Sequence, residues 1–408
     1  MNNMKLRLIV MNFLQYGVWG AWLISLGAYL GGALNFSGVQ VGSFFATMGI
    51  ASLFMPALMG VVADKFIPAQ RLLGILHLLS AACMIYAAMQ TEYMSLYVAV
   101  LMAVIFYMPT ISLSNTVAYN ALVKAGLDTV KDFPPIRVWG TVGFICSMIA
   151  VDLLGFAQNA SQLYFSAGVG VVLGLYSFTL PNCEINKNKK NENWVDMLGL
   201  RAFALFKEKR MAIFFVFSML LGVSLQITNA FANSYLTNYF GGIAEYAGTF
   251  GVEHANILIS LSQLSETLCI LLIPFFLKRY GIKNVMLISM FAWVLRFALL
   301  GLGDPGNGVW MLILSMIVYG VAFDFFNISG SLYVEKVTTS EIRASAQGVF
   351  MMMTNGLGAT LGSYAAGKVV DMYGWPNSWY IFAGYALIVG VLFALVFQYK
   401  HTPESQKA

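Results

Sequence analysis

Apolar stretches of about twenty residues follow one another along the whole chain, at 8–30, 40–62, 72–90, 95–121, 135–156, 162–181, 211–238, 255–277, 284–303, 309–334, 345–368 and 377–398. Each is long enough to cross roughly 30 Å of hydrocarbon as a helix. Inside them the apolar residues run continuously and do not alternate, which argues against the strands of a membrane barrel. Twelve spans with short connections predict an all-α integral membrane protein. The first run is too long for the apolar core of a cleavable leader and has no small-residue cleavage site, so it reads as a retained helix.

Composition agrees with this pattern. Of the 408 residues 59% are hydrophobic and only 10% charged, against roughly 25% charged in a soluble domain. Too few polar side chains exist to cover a soluble surface. The charges also give an orientation. Of 23 Lys and Arg, 20 fall at the chain start, in the even-numbered interspan loops or in the tail: Lys5 and Arg7; Lys65 and Arg71; Lys124 and Lys131; Lys187 to Arg210; Lys278 to Lys283; Lys336 and Arg343; Lys400 and Lys407. By the positive-inside rule both termini and the central loop are cytoplasmic. The net charge of +5 is thus a topology signal, and nucleic acid is not an expected partner. Cys83, Cys146, Cys183 and Cys269 show no paired spacing and read as free thiols with no metal role.

The longest polar stretch, Asn182–Arg210, separates six spans from six. It predicts an amino-terminal six-helix bundle at 1–181, a cytoplasmic linker at 182–210 and a carboxy-terminal six-helix bundle at 211–408. Within the linker, Asn186–Asn193 reads as a solvated tether and Trp194–Phe206 as an interfacial helix. The halves echo each other. Gly60-Val-Val-Ala-Asp64-Lys65 follows span two, and Pro274 to Lys283 with Lys278, Arg279 and Gly281 follows span eight. Both resemble the charged loop motif of the major facilitator superfamily, each degenerate in a different place. A duplicated transporter of this kind binds its solute near the midplane.

Two carboxylates stand out. Glu266 is the only charge in Ala255–Leu277, and Asp324 the only charge in Val309–Val334. A carboxylate at bilayer depth costs roughly 2.5 kcal/mol or more, so it is expected to serve a solute or a proton. Other spans carry polar stripes at helical spacing: Asn12, Gln15, Trp19 and Trp22; Arg137, Thr141 and Phe144; Gly222, Gln226, Asn229 and Asn233; Asn256, Ser260, Gln263 and Glu266; Gly320, Asp324, Asn327 and Ser331. Amides match donors and acceptors on one edge, carboxylates accept from vicinal hydroxyls, and aromatic faces stack on flat rings. A nucleoside meets all three demands, and a sugar meets the first and part of the third. Interhelical glue is the bland alternative for the amides. Arg296 is expected to snorkel from the outer end of span nine, and His77 to be packed or interfacial. No nucleophile–His pair, metal cluster or phosphate loop points to an enzyme.

The segments Asp132–Phe144 (DFPPIRVWGTVGF), Leu225–Phe231 (LQITNAF), Ser262–Leu268 (SQLSETL) and Val318–Ser331 (VYGVAFDFFNISGS) resemble the nucleoside:proton symporter family of the major facilitator superfamily. Met48–Lys65 and Arg343–Gly356 carry the likeness further, so that it covers nearly the whole chain. The resemblance implies a monomeric, cofactor-free permease of the bacterial inner membrane that imports nucleosides such as uridine and adenosine with protons. It maps substrate contacts onto Arg137, Thr141, Phe144, Gln226, Asn229, Gln263, Glu266, Tyr319 and Phe323, with Asp324 as the proton-coupling group. Cavity-facing Arg137 then requires span five to begin before Pro134. Glu266 is assigned to ribose hydroxyls, the three amides to ribose or base edge, and Phe144 or Phe323 to the ring face. The competing expectations are a proton-coupled sugar permease and a membrane receptor that reuses the fold.

Overall fold

Helices account for every membrane crossing in the computed structural model, which describes residues 3–185, 200–339 and 342–399. In hydrocarbon each backbone N–H and C=O must be met within its own segment, and helices do this without partners. The crossings are α1 (Asn3–Gly20, extended through a turn and the π-helical Tyr29–Ala33), α2 (Gly38–Lys65), α3 (Ala69–Ala88), α4 (Tyr93–Lys124), α5 (Thr129–Leu153) and α6 (Ser161–Ser177). Then come α7 (Lys209–Ser234) and the run Ala255–Leu302, whose two limbs are α8 (255–280) and α9 (282–302). The last are α10 (Val309–Val337), α11 (Arg343–Met351, the π-helical Met352–Gly358 and Ala359–Tyr373) and α12 (Asn377–Val396).

Eight helices among the described residues are each long and apolar enough to cross a membrane unaided. One of them, the 48-residue run, is about 72 Å long at 1.5 Å per residue, more than twice the hydrocarbon thickness. It turns at Gly281, whose φ of 76° and ψ of 167° lie in a region open essentially to glycine alone. That run therefore makes two crossings. The remaining three are α1 and α11, each interrupted along its length, and α6, which has only 17 residues. The twelve expected spans are all present. The loop expected at 278–283 is helical on either side of the single residue Gly281. Helix α5 starts at Thr129, ahead of Pro134 and Pro135. The tether Asn186–Asn193, the start of Trp194–Phe206 and the basic residues Lys187, Lys189, Lys190, Lys400 and Lys407 lie outside the described residues. Leu200–Lys207 forms a 3₁₀ helix.

Contacts divide the chain into two units, Met1–Phe36 with Ser43–Leu198, and Ser37–Gly42 with Gly199–Ala408. In the first, α1 packs on α5, and α3 on α4 and α6, around Leu8, Met11, Leu72, Leu73, Val117 and Ile136. In the second, α7 packs on α11, and α10 on the α8–α9 run, which also meets α12. Cys269, Ile273, Val285 and Phe325 form a small core there.

Lipid tails are as apolar as leucine, so hydrophobicity does not drive these helices together; close packing and hydrogen bonds do. Glycine permits the closest approaches. A Cβ on Gly143 would overlap Phe13 O, and one on Gly20 would overlap Phe144 O, so α1 and α5 cross backbone on backbone. In the second unit a Cβ on Gly222 would overlap Thr354 O, one on Gly358 would overlap Met219 O, and Gly362 lies against Val223. The α7–α11 crossing is thus built the same way, six spans further on.

Replacing either crossing glycine by alanine, Gly143→Ala or Gly222→Ala, should cost about 1–3 kcal/mol through overpacking. Gly168→Ala, where nothing lies within 4 Å of the added Cβ, is the matched control. Unfolding midpoints in detergent should fall for the first two and stay level for the third.

Candidate functional site

In the first unit the expected site residues share one stretch of α5. The Arg137 guanidinium lies 3.8 Å from the centre of the Tyr16 ring, a cation–π contact that replaces water around the charge. Phe144 is buried and meets Trp19 edge-on, with centroids 6.3 Å apart and planes at 83°. Thr141, three residues before Phe144, is partly exposed. Gly140 sits between Tyr16 and Arg137 and leaves room for both. Tyr16 was not singled out by the sequence, because tyrosine beside an apolar run carries no signal of its own.

The α1 stripe serves a different purpose. Gln15 is fully buried, accepts from His77 Nε2 at 2.8 Å through its Oε1, and donates to Thr110 Oγ1 at 2.8 Å. Tyr107 donates to the Gln15 carbonyl at 2.8 Å. Asn12 donates to Leu8 O at 2.9 Å. Gln15, His77, Tyr107 and Thr110 hold α1, α3 and α4 together, whereas the Asn12 bond stays within α1, and His77 is packed inside the bundle.

In the second unit, Gln226 and Asn229 sit on successive turns of α7, and Asn229 Nδ2 donates to Gln226 Oε1 at 2.9 Å. Each amide fixes the other's orientation and leaves its remaining donors and acceptors for a third group. Asn233, lower in the same stripe, donates to Asn256 Oδ1 at 2.7 Å and joins α7 to α8. Helices α8 and α10 cross where Gly320 meets Ser265, whose hydroxyl donates to Ile317 O. That crossing sets Glu266 near the α10 residues Tyr319 and Asp324. Gln263, one turn from Glu266, is partly exposed.

Helix α10 carries the densest part. Tyr319 and Phe323 stack with centroids 5.7 Å apart and planes within 6°. Asp324 is 4% exposed, and its Oδ2 has no hydrogen-bond partner. Arg296 of α9 lies over the Tyr319 ring, with its guanidinium carbon 4.7 Å from the ring centre. It donates to Ser315 O at 2.5 Å and approaches Ser262 Oγ at 3.5 Å, while its Nε is unpartnered. Trp293, one turn before Arg296, meets Tyr319 edge-on at 6.0 Å and 87°. The structure thus gathers Glu266, Tyr319, Phe323 and Asp324, and adds Trp293 and Arg296. Among the described residues no group of His, Cys, Asp and Glu has the arrangement of a metal site, and the four cysteines are free.

Residues 1–402 match the family model described as nucleoside H+ symporter. The chain is 51% identical over 406 residues to the nucleoside permease NupG of Escherichia coli, covering 98% of this chain and 97% of that one. It is 49% identical over 412 residues to the xanthosine permease of Escherichia coli, covering 99% and 98%. A crystal structure of the nucleoside transporter NupG superposes with a TM-score of 0.92 at 51% identity, covering 98% of this chain and 100% of that one.

The expectation that Arg296 snorkels to the interface is wrong. The residue is 2% exposed, because the Tyr319 ring and the Ser315 carbonyl take the place of water. Among the described residues its guanidinium makes no ion pair. A buried charge without a full set of partners is weak evidence for stability, and an apolar side chain of similar volume is often neutral or better by about 1–4 kcal/mol. Arg296→Met should therefore leave the thermal unfolding midpoint in detergent unchanged or raise it. A clear fall would show that the guanidinium is a structural anchor.

Proposed function

The chain belongs to the nucleoside H+ symporter family, and on that premise we propose that it imports nucleosides, coupled to protons, by alternating access between its two six-helix halves. It is a multi-pass membrane transporter of the major facilitator type and not an enzyme. Asp324 carries the reading: it is a lone carboxyl buried on α10, with one oxygen unpartnered, one residue from the stacked Tyr319–Phe323 pair. A proton coupler must change its proton affinity with its surroundings, and a carboxyl's affinity depends on desolvation and neighbouring charge. Asp324 has both levers, since it is buried and shares its site with Glu266.

The roles then divide by access. Glu266 is partly exposed and accepts from the ribose hydroxyls. Gln226 and Asn229, held against each other, and Gln263 present amides to the ribose or the base edge. In the first half, Arg137, Thr141 and Phe144 offer a donor, a hydroxyl and a ring face. Asp324 loads a proton from the outside, loading favours substrate binding, and the proton leaves inward after the nucleoside. Uridine and adenosine are the expected solutes, carried by a monomer in the bacterial inner membrane with both termini cytoplasmic. The distribution of Lys and Arg supports that orientation.

Labelled-uridine uptake into proteoliposomes, with and without an inward proton gradient, tests the scheme. Uptake against the uridine gradient should require the proton gradient and be blocked by adenosine but not by glucose. A glucose-blocked flux would transfer the reading to a sugar permease. Asp324→Asn should abolish accumulation while uridine binding survives; normal proton-driven accumulation in that variant sinks the coupling role. Glu266→Gln should weaken ribonucleosides more than 2′,3′-dideoxynucleosides, because only the former leave hydroxyls facing the lost acceptor. Equal losses would return Glu266 to proton handling or folding.

A further inference from the structure

In the first unit a set of side-chain hydrogen bonds joins three helices and runs in one direction. The Tyr107 carbonyl can only accept, and it takes the Thr110 hydroxyl proton at 2.6 Å. Thr110 Oγ1 must then receive the Gln15 amide N–H at 2.8 Å, which turns Gln15 Oε1 toward His77. An amide oxygen only accepts, so His77 Nε2 carries the proton of that 2.8 Å bond. The Tyr107 hydroxyl closes the circuit on the Gln15 carbonyl. His77, Gln15 and Thr110 are wholly buried. The other imidazole nitrogen, Nδ1, is buried and unpartnered, a cost that leucine would avoid. Interhelical bonds of this kind are worth only about 0.6 kcal/mol, so the stability of the bundle does not account for the histidine. A directed circuit does something that apolar packing does not: it favours a single rotation of α1.

We propose that His77 is a positioning residue for the solute site, fixing through Gln15 the rotation of α1 and with it the two side chains that hold Arg137 and Phe144. The inference rests on the nucleoside reading above and goes beyond it by naming what orients the first half of the site. Tyr16 follows Gln15 in the chain, and its ring centre lies 3.8 Å from the Arg137 guanidinium carbon. Trp19, four residues on from Gln15 and so on the same face of the helix, meets Phe144 edge-on at 6.3 Å. Tyr107 joins the two ends: its ring packs on His77 at 5.9 Å and 75°, and on Trp19 at 5.9 Å and 54°. Turning α1 by one residue position would carry Tyr16 away from Arg137 and Trp19 away from the edge of Phe144. The Gly20 and Gly143 contacts hold α1 against α5, and the circuit adds a second tether, to α3 and α4. Side chains held in place before the solute arrives lose little freedom on binding, which is where preorganisation gains affinity.

Equilibrium binding of uridine to the purified protein tests this, with wild type, His77→Leu and His77→Gln compared. Glutamine keeps an N–H that can donate to Gln15 Oε1, and leucine does not. His77→Leu should weaken uridine by about tenfold, within the range for residues that share a network, and His77→Gln should restore most of that loss. The same His77→Leu change is then made in protein carrying Arg137→Ala and Phe144→Ala. There the two side chains it positions are gone, so it should cost less than about twofold. An equal loss in both backgrounds, or no loss in the wild-type background, overturns the proposal and leaves His77 a packing residue. If His77→Leu does not fold because Gln15 Oε1 is stranded, Gln15→Leu combined with His77→Leu removes both partners of the bond. That pair should show the same tenfold loss and the same insensitivity once Arg137 and Phe144 are replaced; binding at the wild-type level would sink the circuit's role. Failure of the wild-type protein to bind uridine would instead overturn the nucleoside reading itself, and this proposal with it.

Discussion

Backbone laid directly on backbone is the constraint from which both halves take their geometry. At the α1–α5 crossing Gly20 and Gly143 admit the main chain of Phe144 and Phe13, and at the α7–α11 crossing Gly222, Gly358 and Gly362 admit Thr354, Met219 and Val223. The candidate residues on α5 and α7 lie within a turn or two of these contacts. Thr141 and Phe144 flank Gly143; Gln226 is one turn beyond Gly222. A helix that could slide or tilt at its crossing would move these side chains by an ångström or more, and positioning of that order decides whether a polar contact forms. Small residues at the crossings therefore do more than allow packing: they set the register in which the polar stripes are presented. That the same device recurs six spans later is what a duplicated transporter requires.

Polar groups inside the bundles fall into two kinds, and only the pattern of hydrogen bonds separates them. Gln15 is bonded to His77 and Thr110, and Asn233 to Asn256, within the protein itself, although His77 Nδ1 stays unpartnered. They join helices, at roughly 0.6 kcal/mol per interhelical bond. Around Tyr319 the situation is reversed. Arg296 Nε, Trp293 Nε1 and Asp324 Oδ2 are all buried and all unpartnered, on two adjacent helices. Folding alone gains nothing from such groups. Other unpartnered buried atoms are scattered through both units, Asn12 Oδ1 and Trp379 Nε1 among them. Trp19 Nε1 and His77 Nδ1 gather in the same way around Tyr107; what distinguishes the Tyr319 group is the pair of carboxylates beside it.

Much of this was legible in the sequence, for reasons that also explain what was not. Span number follows from the transfer free energy of long apolar runs. Glu266 and Asp324 announce themselves because a lone carboxyl in such a run is expensive. Helical spacing then identified the face of α7 that bears Gln226 and Asn229. Arg296 was misread because hydropathy measures a side chain against lipid or water, whereas this guanidinium is solvated by the Tyr319 ring and the Ser315 carbonyl. Trp293 went unnoticed because tryptophan in a span is unremarkable until its N–H is seen to lack an acceptor. The spacing of Trp293 and Arg296, three apart on α9, was the available hint. The interruptions of α1 and α11 were also hidden, since a π-helical turn changes hydrogen bonding without changing composition.

The aromatic ladder on α9 and α10 ties these observations together. Arg296 lies on Tyr319, Tyr319 stacks on Phe323, and Trp293 meets Tyr319 edge-on. Asp324 is the next residue along the chain from Phe323. Any solute ring that presses on Phe323 therefore acts on the side chain adjoining the carboxyl proposed to couple protons, and on the ring that carries the buried cation. Binding and proton affinity need a shared element if each is to depend on the other, because coupling is a difference in free energy between states and must be reciprocal. Here that element is short and rigid: two stacked rings held on one side by a guanidinium and edge-on by an indole. No long-range relay is required, since Phe323 and Asp324 are neighbours on one turn of α10.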